Sequence, residues 1–210
     1  MSKVLAILGS GHLGRQIANI AIDDKHYDKI VFFDDFSKHD AVNNHKIIGT
    51  SDMILNEFKN KSFDKLIIGI GYKHLSVKKS FFERFQGIIP FATIIHSSSY
   101  IDKSAIIKEG TVIYPSCCID SDVVINENSV LNLGCVIAHN SSIGKHCFLS
   151  PRITVSGFVE IGDQCFVGVN TTVIDNIKIA KKTTFGGGTL VVKDIITGGL
   201  YVGSPAKFIK

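Results

Sequence analysis

The sequence predicts two domains of different class: a small Rossmann-like α/β domain over residues 1–95, and a parallel β-helix over residues 96–210 that ends in a short tail. Two observations carry this prediction. A strand, a glycine-rich turn, a helix and a second strand open the chain, and large apolar residues recur at every sixth position through its second half. A length of 210 residues is enough for two compact units.

The first half has the element order of a parallel, doubly wound sheet. Short apolar runs bounded by glycine or acidic residues predict strands, and an apolar period near 3.6 predicts helices. The expected elements are strands over residues 4–8, 29–33 and 65–70, and helices over residues 15–22 and 76–85. Strand, glycine turn, helix and strand is the order in which such a sheet begins.

The glycine-rich turn over residues 9–14 indicates a phosphate site. Glycines let the backbone approach a phosphate at a helix N-terminus, and Asp34 or Asp35, at the end of the second strand, can accept ribose hydroxyls. About 95 residues are too few for the six-stranded sheet of a full dinucleotide domain, which favours a mononucleotide site over NAD. The alternative is that the glycines serve only a tight turn.

The second half is predicted from a period of six. Large aliphatic or aromatic residues stand at every sixth position from Ile101 to Val191 without a break, and a small or β-branched residue usually follows four positions later. Three hexapeptides make one triangular coil, so residues eighteen apart are expected to stack at about 4.8 Å on adjacent coils. Both recurring positions point inward, and their stacked columns form the core.

Composition excludes several classes of function. A net charge of +4, with 20% charged residues and no run of five like charges, argues against nucleic-acid or membrane binding. The apolar stretch at the N-terminus is too short for a signal peptide or a transmembrane span, so a cytoplasmic protein is expected. Four of the five cysteines occupy inward positions of the repeat, which predicts core packing rather than disulfides or metal ligands. They are Cys117, Cys135, Cys147 and Cys165.

Motifs along nearly the whole chain resemble those of the NeuD/PglD-like bacterial sugar acyltransferases. They are Gly11-His12, Phe33-Asp34-Asp35-Phe36, Ile95-His96-Ser97-Ser98, Ile137-Ala138-His139, Ile143-Gly144, Gly186-Gly187-Gly188 and the C-terminal Gly203-Ser204-Pro205-Ala206-Lys207. The resemblance implies a left-handed β-helix and a homotrimer with active sites between subunits. It also implies transfer of an acetyl or related acyl group from acyl-CoA to the amino group of a nucleotide-linked amino sugar, without a metal, for surface glycan synthesis.

The resemblance also implies a set of site residues. It makes His139 the general base and Gly157 the glycine whose N–H meets the thioester carbonyl. Asn140, where many relatives carry Glu or Asp, can hold the imidazole by a hydrogen bond but lends it no charge. Contacts to CoA are expected from Gly157, Val169, Gly187, Phe148 (where the family has a histidine) and Lys207. Contacts to the nucleotide sugar are expected from Ser10, Gly11, His12, Asp34, Asp35, Gly71 and Tyr72, the last in place of a family asparagine.

The period of six supports these assignments independently. His139 and Gly157 are eighteen residues apart, as are Val169 and Gly187, so each pair is expected to stack on adjacent coils. A base one strand spacing from an oxyanion donor suits acyl transfer.

Other functions stay open at this point. The nearest is a sugar O-acetyltransferase of the sialic-acid type, although hydroxyl attack needs a stronger base. A trimeric zinc hydratase of γ-carbonic-anhydrase type needs three histidines, and the predicted solenoid holds His139 and His146, the latter expected at a solvated corner. A non-catalytic scaffold or an NAD-binding sensor is the third alternative.

Overall fold

The computed structural model describes residues 2–210 and divides into two compact units. The first ends at Ile94, and the second runs over Ile95–Lys210. Each unit has its own apolar core, as expected of separate domains.

The first unit is built around a parallel sheet flanked by helices. Its elements are β1 Val4–Leu8, α1 His12–Asp23, β2 Lys29–Phe33, β3 Ala41–Val42, β4 His45–Gly49, α2 Ile54–Lys59, β5 Lys65–Ile68 and α3 Leu75–Phe85, with short 3₁₀ turns over Ser51–Met53 and Tyr72–His74. The strand order is β3-β4-β2-β1-β5, in which only the β3–β4 pair of the described strands is antiparallel. The chain reverses its direction of travel across the sheet between β1 and β5, which is where such folds bind ligands.

The expected elements of this unit are largely confirmed. β1 and β2 occupy the predicted residues, β5 ends two residues earlier than predicted, and both predicted helices are present but begin sooner. Three elements were not predicted from the sequence, namely β3, β4 and α2. Phe33, Phe63, Phe82 and Phe85 pack on one face of the sheet, and each such buried side chain contributes about 1.5–3 kcal/mol.

The second unit is a parallel β-helix, as predicted. Its short strands are β6 Ile94–Ile95, β7 Tyr100–Ile101, β8 Ile106–Ile107, β9 Val112–Ile113, β10 Cys118–Ile119, β11 Val124–Ile125, β12 Val130–Leu131, β13 Val136–Ile137, β14 Ser142–Ile143, β15 Phe148–Leu149, β16 Thr154–Val155, β17 Glu160–Ile161, β18 Phe166–Val167, β19 Thr172–Val173, β20 Lys178–Ile179, β21 Thr183–Phe185, β22 Leu190–Val191, β23 Gly199–Val202 and β24 Lys207–Phe208.

The strands form three faces. The first face is β7-β10-β13-β16-β19-β22, the second is β8-β11-β14-β17-β20, and the third is β6-β9-β12-β15-β18-β21-β23-β24. Residues eighteen apart are in register, as where Ile119 pairs with Ile137 and Ile137 with Val155. β24 is antiparallel to β23, so the third face ends in a hairpin whose last strand is a short edge strand of two residues.

The interior consists of the predicted columns. The aliphatic residues from Ile113 to Val191 that occur at every sixth position are buried, and Cys117, Cys135, Cys147 and Cys165 are buried among them as free thiols. The fifth cysteine, Cys118, is exposed. The prediction that the four inward cysteines act as core residues is confirmed.

Corners with left-handed backbone join the strands. A residue with φ between +56° and +75° stands at every sixth position from Gly110 to Gly188. Glycine, asparagine and aspartate tolerate this conformation, and they occupy many of these corners. The remaining corners carry other residues that are strained there, namely Ser116, His146, Arg152, Phe158, Gln164 and Lys182, and of these Phe158, with φ +58°, is the apolar one.

Candidate functional site

His139 lies at the corner between β13 and β14, where the first face meets the second. Its ring nitrogen Nδ1 is 3.1 Å from Oδ1 of Asn140, which has φ +56°. An amide oxygen only accepts hydrogen bonds, so Nδ1 carries the proton and Nε2 keeps its lone pair. The imidazole is therefore held in the tautomer in which Nε2 can accept a proton.

Gly157 stacks directly on His139, as the spacing of eighteen predicts. A Cβ atom at this position would lie 2.8 Å from Cε1 and 2.9 Å from Nε2 of the imidazole, so the ring occupies the space that any other side chain would need. The carbonyl of Gly157 accepts a hydrogen bond from Asn176 N at 3.0 Å. Within residues 2–210, its N–H has no acceptor. Gly157, whose peptide N–H is free, thus lies next to the Nε2 side of the His139 imidazole.

Phe158 completes this corner and was not among the residues predicted from the sequence. Its ring meets the imidazole of His139 edge to face, with centroids 5.1 Å apart and planes at 88°. Its backbone N–H donates to the carbonyl of His139 at 3.1 Å. The period of six could have identified it, because Phe158 follows Asn140 by eighteen residues and must therefore stack beside the histidine.

Val169 and Gly187 stack at a different corner, where the third face meets the first. A Cβ at Gly187 would lie 3.1 Å from Cγ1 of Val169, and Gly188 N donates to the Val169 carbonyl at 2.7 Å. The predicted stacking of this pair is confirmed. The first face lies between this corner and the corner of His139.

The other two residues expected to contact the cofactor lie elsewhere. Phe148 is on the third face, only 7% exposed, and its ring stacks on Phe166 with centroids 6.1 Å apart. Most of its surface is therefore unavailable to a ligand. Lys207 is exposed in β24, beside a groove that also includes Tyr201 and Phe208.

Most residues expected to contact the nucleotide sugar surround one cavity in the first unit. It has a volume of about 700 Å³ and opens at the carboxyl ends of β1, β2 and β5. Its lining includes Gly11, His12, Asp34, Asp35, Gly71 and Tyr72. Phe36, whose side chain is 92% exposed, stands at the same cavity.

Asp34 organises the glycine turn. Its Oδ2 accepts hydrogen bonds from the backbone N–H and the hydroxyl of Ser10 at 2.7 and 2.6 Å, and its Oδ1 accepts from the N–H groups of Phe36 and Ser37, both at 2.9 Å. Burial raises the pKa of this carboxyl, but these hydrogen bonds outweigh burial and the pKa lies below its usual value. Ser10 contacts this carboxylate and does not line the cavity.

The start of α1 presents free backbone donors near the same cavity. Gly11 is the N-cap residue of α1 and has no side chain that could cap the helix, so first-turn N–H groups are left for an anion. Position 14 requires glycine for a structural reason, since a Cβ there would collide with the carbonyl of Gly9. The glycines therefore serve the packing of α1 on β1 in addition to any ligand.

The expectation for His146 was wrong. Its side chain is 3% exposed rather than solvated, and its Nδ1 is 2.9 Å from Nδ2 of Asn128, the residue stacked one coil earlier. A corner residue is solvated only where nothing packs over the corner, and the period of six does not report that.

Residues 2–210 contain no group of three or more His, Cys, Asp or Glu side chains that could hold a metal ion. Over the same range, no helix combines the length and the apolar character needed to cross a membrane.

Comparison with known proteins agrees with this architecture. The sequence model of the PglD N-terminal domain matches residues 4–85. No curated protein matches the sequence. Among solved structures, the acetyltransferase domain of PglB from Neisseria gonorrhoeae FA1090, in complex with acetyl coenzyme A, is 24% identical, with a TM-score of 0.91 over 100% of both chains.

Two further structures align over almost the whole chain. PerB from Caulobacter crescentus, in complex with CoA and GDP-perosamine, is 25% identical, with a TM-score of 0.88 over 98% of this chain and 97% of PerB. WeeI from Acinetobacter baumannii AYE is 19% identical, with a TM-score of 0.85 over 99% of this chain and 100% of WeeI. Residues 4–85 thus match the PglD N-terminal domain, and almost the whole chain shares the fold of the PglB acetyltransferase domain, PerB and WeeI.

Proposed function

We propose that this protein transfers an acetyl group from acetyl-CoA to the amino group of a nucleotide-linked amino sugar. The observation that carries the proposal is the stacking of His139 on Gly157, which puts a basic imidazole nitrogen beside a free peptide N–H. PerB, which was solved with CoA and GDP-perosamine, supports the same pair of substrates.

The reaction follows from these two groups. The sugar amine attacks the thioester carbonyl, and Nε2 of His139 accepts the proton that the nitrogen loses. The carbonyl oxygen becomes negative in the tetrahedral intermediate, and the N–H of Gly157 donates a hydrogen bond to it. The intermediate collapses to the amide, and the CoA thiolate leaves and takes a proton from His139 or from water. Asn140 keeps Nδ1 protonated throughout, so Nε2 is always the nitrogen that reacts.

An amine acceptor is favoured over a hydroxyl. Asn140 orients the imidazole but adds no negative charge that would strengthen it as a base. A neutral sugar amine is already a strong nucleophile, whereas a hydroxyl must lose its proton as it attacks. The same sugar with a hydroxyl in place of the amine is therefore expected to be a poor substrate.

The cavity of the first unit is proposed to hold the nucleotide. The uncapped start of α1 at Gly11 and His12 can bind phosphate oxygens, and the carboxylate of Asp35 can accept a hydrogen bond from a hydroxyl of the nucleoside. Asp34 keeps the cavity in shape, since both of its oxygens already accept two hydrogen bonds within the protein. Tyr72 offers an aromatic surface to the base or the sugar.

A homotrimer is proposed to complete the active site. Uncharged side chains point outward along the whole first face: Tyr100, Cys118, Val136, Thr154, Thr172 and Leu190. The second face instead carries the ion pair between Glu160 and Lys178. Threefold packing on the first face would bring the His139 corner of one subunit to the Val169 corner of the next, which leaves a groove for the pantetheine arm between them.

The decisive experiment replaces the base. Wild-type protein and His139→Ala are incubated with acetyl-CoA and a panel of UDP-, dTDP- and GDP-linked amino sugars, and the products are identified by mass spectrometry. We expect one sugar nucleotide to gain an acetyl group, and kcat to fall by roughly 10²–10⁴ in the variant while CoA still binds. An unchanged rate in His139→Ala would refute the assignment of the base, and no product with any sugar would refute the proposed function.

A further inference from the structure

Phe158 occupies a backbone position that does not suit it. With φ +58° it lies in the left-handed region, where a bulky side chain is strained. The residues stacked above and below it in the same corner column are Asn140 and Asn176, at φ +56° and +59°, and asparagine is well adapted to this conformation. Asparagine therefore fits the backbone of this corner column better than phenylalanine does.

Burial within the chain does not compensate for this strain. The Phe158 side chain is 53% exposed, so it contributes less to the core than the inward residues of the neighbouring strands. Strained backbone that no packing explains is often found at functional sites.

Its contacts converge on His139. The two rings meet edge to face at 5.1 Å, and the Phe158 N–H donates to the His139 carbonyl. Asn140 holds one edge of the imidazole through Nδ1, and Gly157 leaves the space in which the ring lies. A ring held only at Nδ1 could still rotate about its bond to Cβ and lose that hydrogen bond.

We propose that Phe158 is a positioning residue for the acetyl transfer: its ring fixes the plane of the His139 imidazole so that Nε2 stays directed at the reacting amine. This inference rests on the proposed function, in which His139 is the base. The strained corner lowers the stability of the fold, whereas the oriented imidazole raises kcat. A purely structural role would make both quantities fall together when Phe158 is replaced.

The test uses three variants of the full-length protein. Phe158→Asn gives the corner the residue of its own column, Phe158→Tyr keeps the ring, and Gln164→Asn is a matched control at another left-handed corner, with φ +57°. Thermal unfolding, kcat and the KM for acetyl-CoA are measured with the best amino-sugar nucleotide of the panel. The tautomer of His139 is followed by ¹⁵N NMR of the imidazole, assigned with His139→Ala.

We expect Phe158→Asn to raise the unfolding temperature by a few degrees and to lower kcat roughly tenfold, with little change in the KM for acetyl-CoA. Its imidazole signals should move toward a mixture of tautomers. Phe158→Tyr should keep the wild-type kcat and the single tautomer, and Gln164→Asn should leave kcat unchanged. Wild-type kcat and a single tautomer in Phe158→Asn would overturn the proposal.

The two proposals fail in different ways. If His139→Ala keeps the wild-type rate, or if no sugar of the panel is acetylated, the proposed function is wrong. The NMR comparison needs no substrate and still decides whether Phe158 orients the imidazole. If His139→Ala is inactive while Phe158→Asn matches the wild type in rate and tautomer, only the inference about Phe158 is wrong.

Discussion

At the scale of single residues, the candidate site depends on side chains that orient other groups. Asn140 and Phe158 hold the imidazole of His139, and Asp34 holds the glycine turn through Ser10. None of these positioning groups needs to react. Each sets the direction of a donor or acceptor, which is what preorganisation of a site requires.

The role of Asp34 can be measured through the pH dependence of stability. Its folded-state pKa lies below the usual value, so its contribution to stability is present above the pKa of the unfolded chain and is lost as pH falls through the folded pKa. Asp34→Asn should lower the free energy of unfolding by about 1–3 kcal/mol at pH 7, because the amide nitrogen cannot accept hydrogen bonds. The difference between wild type and variant should shrink below about pH 4.

Thermal or urea unfolding between pH 7 and pH 3 measures this difference. Asp52→Asn is the control, since Asp52 forms an exposed ion pair with Arg84, and such pairs contribute little. Equal stability of Asp34→Asn and wild type at pH 7 would show that the four hydrogen bonds do not organise the turn.

At the scale of elements, the solenoid strands alternate between core and surface. In β17 the side chain of Ile161 is buried in the apolar column, whereas that of Glu160 points outward and pairs with Lys178 at 2.9 Å. Neighbouring residues of one strand therefore test the two environments. Ile161→Ala should lower the free energy of unfolding by about 2–5 kcal/mol, because the substitution leaves a cavity that the stacked neighbours of the column cannot fill.

Glu160→Ala provides the comparison in the same strand. An exposed ion pair contributes about 0–1 kcal/mol, so this variant should unfold almost like the wild type. Denaturant unfolding followed by circular dichroism measures both. Similar losses for the two variants would mean that the inward column does not carry the stability of the solenoid.

The elements also show how far sequence alone could go. Up to Val191 the solenoid strands could be placed by counting in sixes, because their pairings repeat every eighteen residues, and the stacking of Gly157 on His139 followed in this way. Beyond Val191 the spacing changes, and Thr183 pairs with Gly199. β4 and α2 were missed because β4 is only partly buried and α2 has six residues, so neither shows a clear period. The burial of His146 depends on packing over a corner, which no periodicity encodes.

The cavity of the first unit and the His139 corner of the solenoid also differ in how much could be predicted from the sequence. In the glycine turn, the sequence predicted which residues would approach the cavity, but not that Asp34 would be saturated by Ser10, Phe36 and Ser37. Those bonds depend on how the ends of β1 and β2 meet. In the solenoid, Phe158 could have been found by the counting that found Gly157.

At the scale of the whole molecule, the proposed trimer should be sensitive to charge on the first face. Thr154 lies near the middle of its uncharged outward column, in β16. Thr154→Arg would bring three cations together around the proposed threefold axis, where they would lose water and repel one another. Light scattering coupled to size-exclusion chromatography should show monomers, and CoA should bind more weakly because each groove needs two subunits.

Glu160→Arg on the second face is the matched control, because it adds the same side chain away from the proposed axis. It should stay trimeric and active, and its CoA affinity should be unchanged. A Thr154→Arg protein that remains trimeric and fully active would place the subunit contact on another face. Loss of assembly in both variants would instead point to general destabilisation, which thermal unfolding of the two proteins would reveal. The threefold arrangement therefore stands only if the first face alone is sensitive, since it is the face that separates the His139 corner from the Val169 corner within one chain.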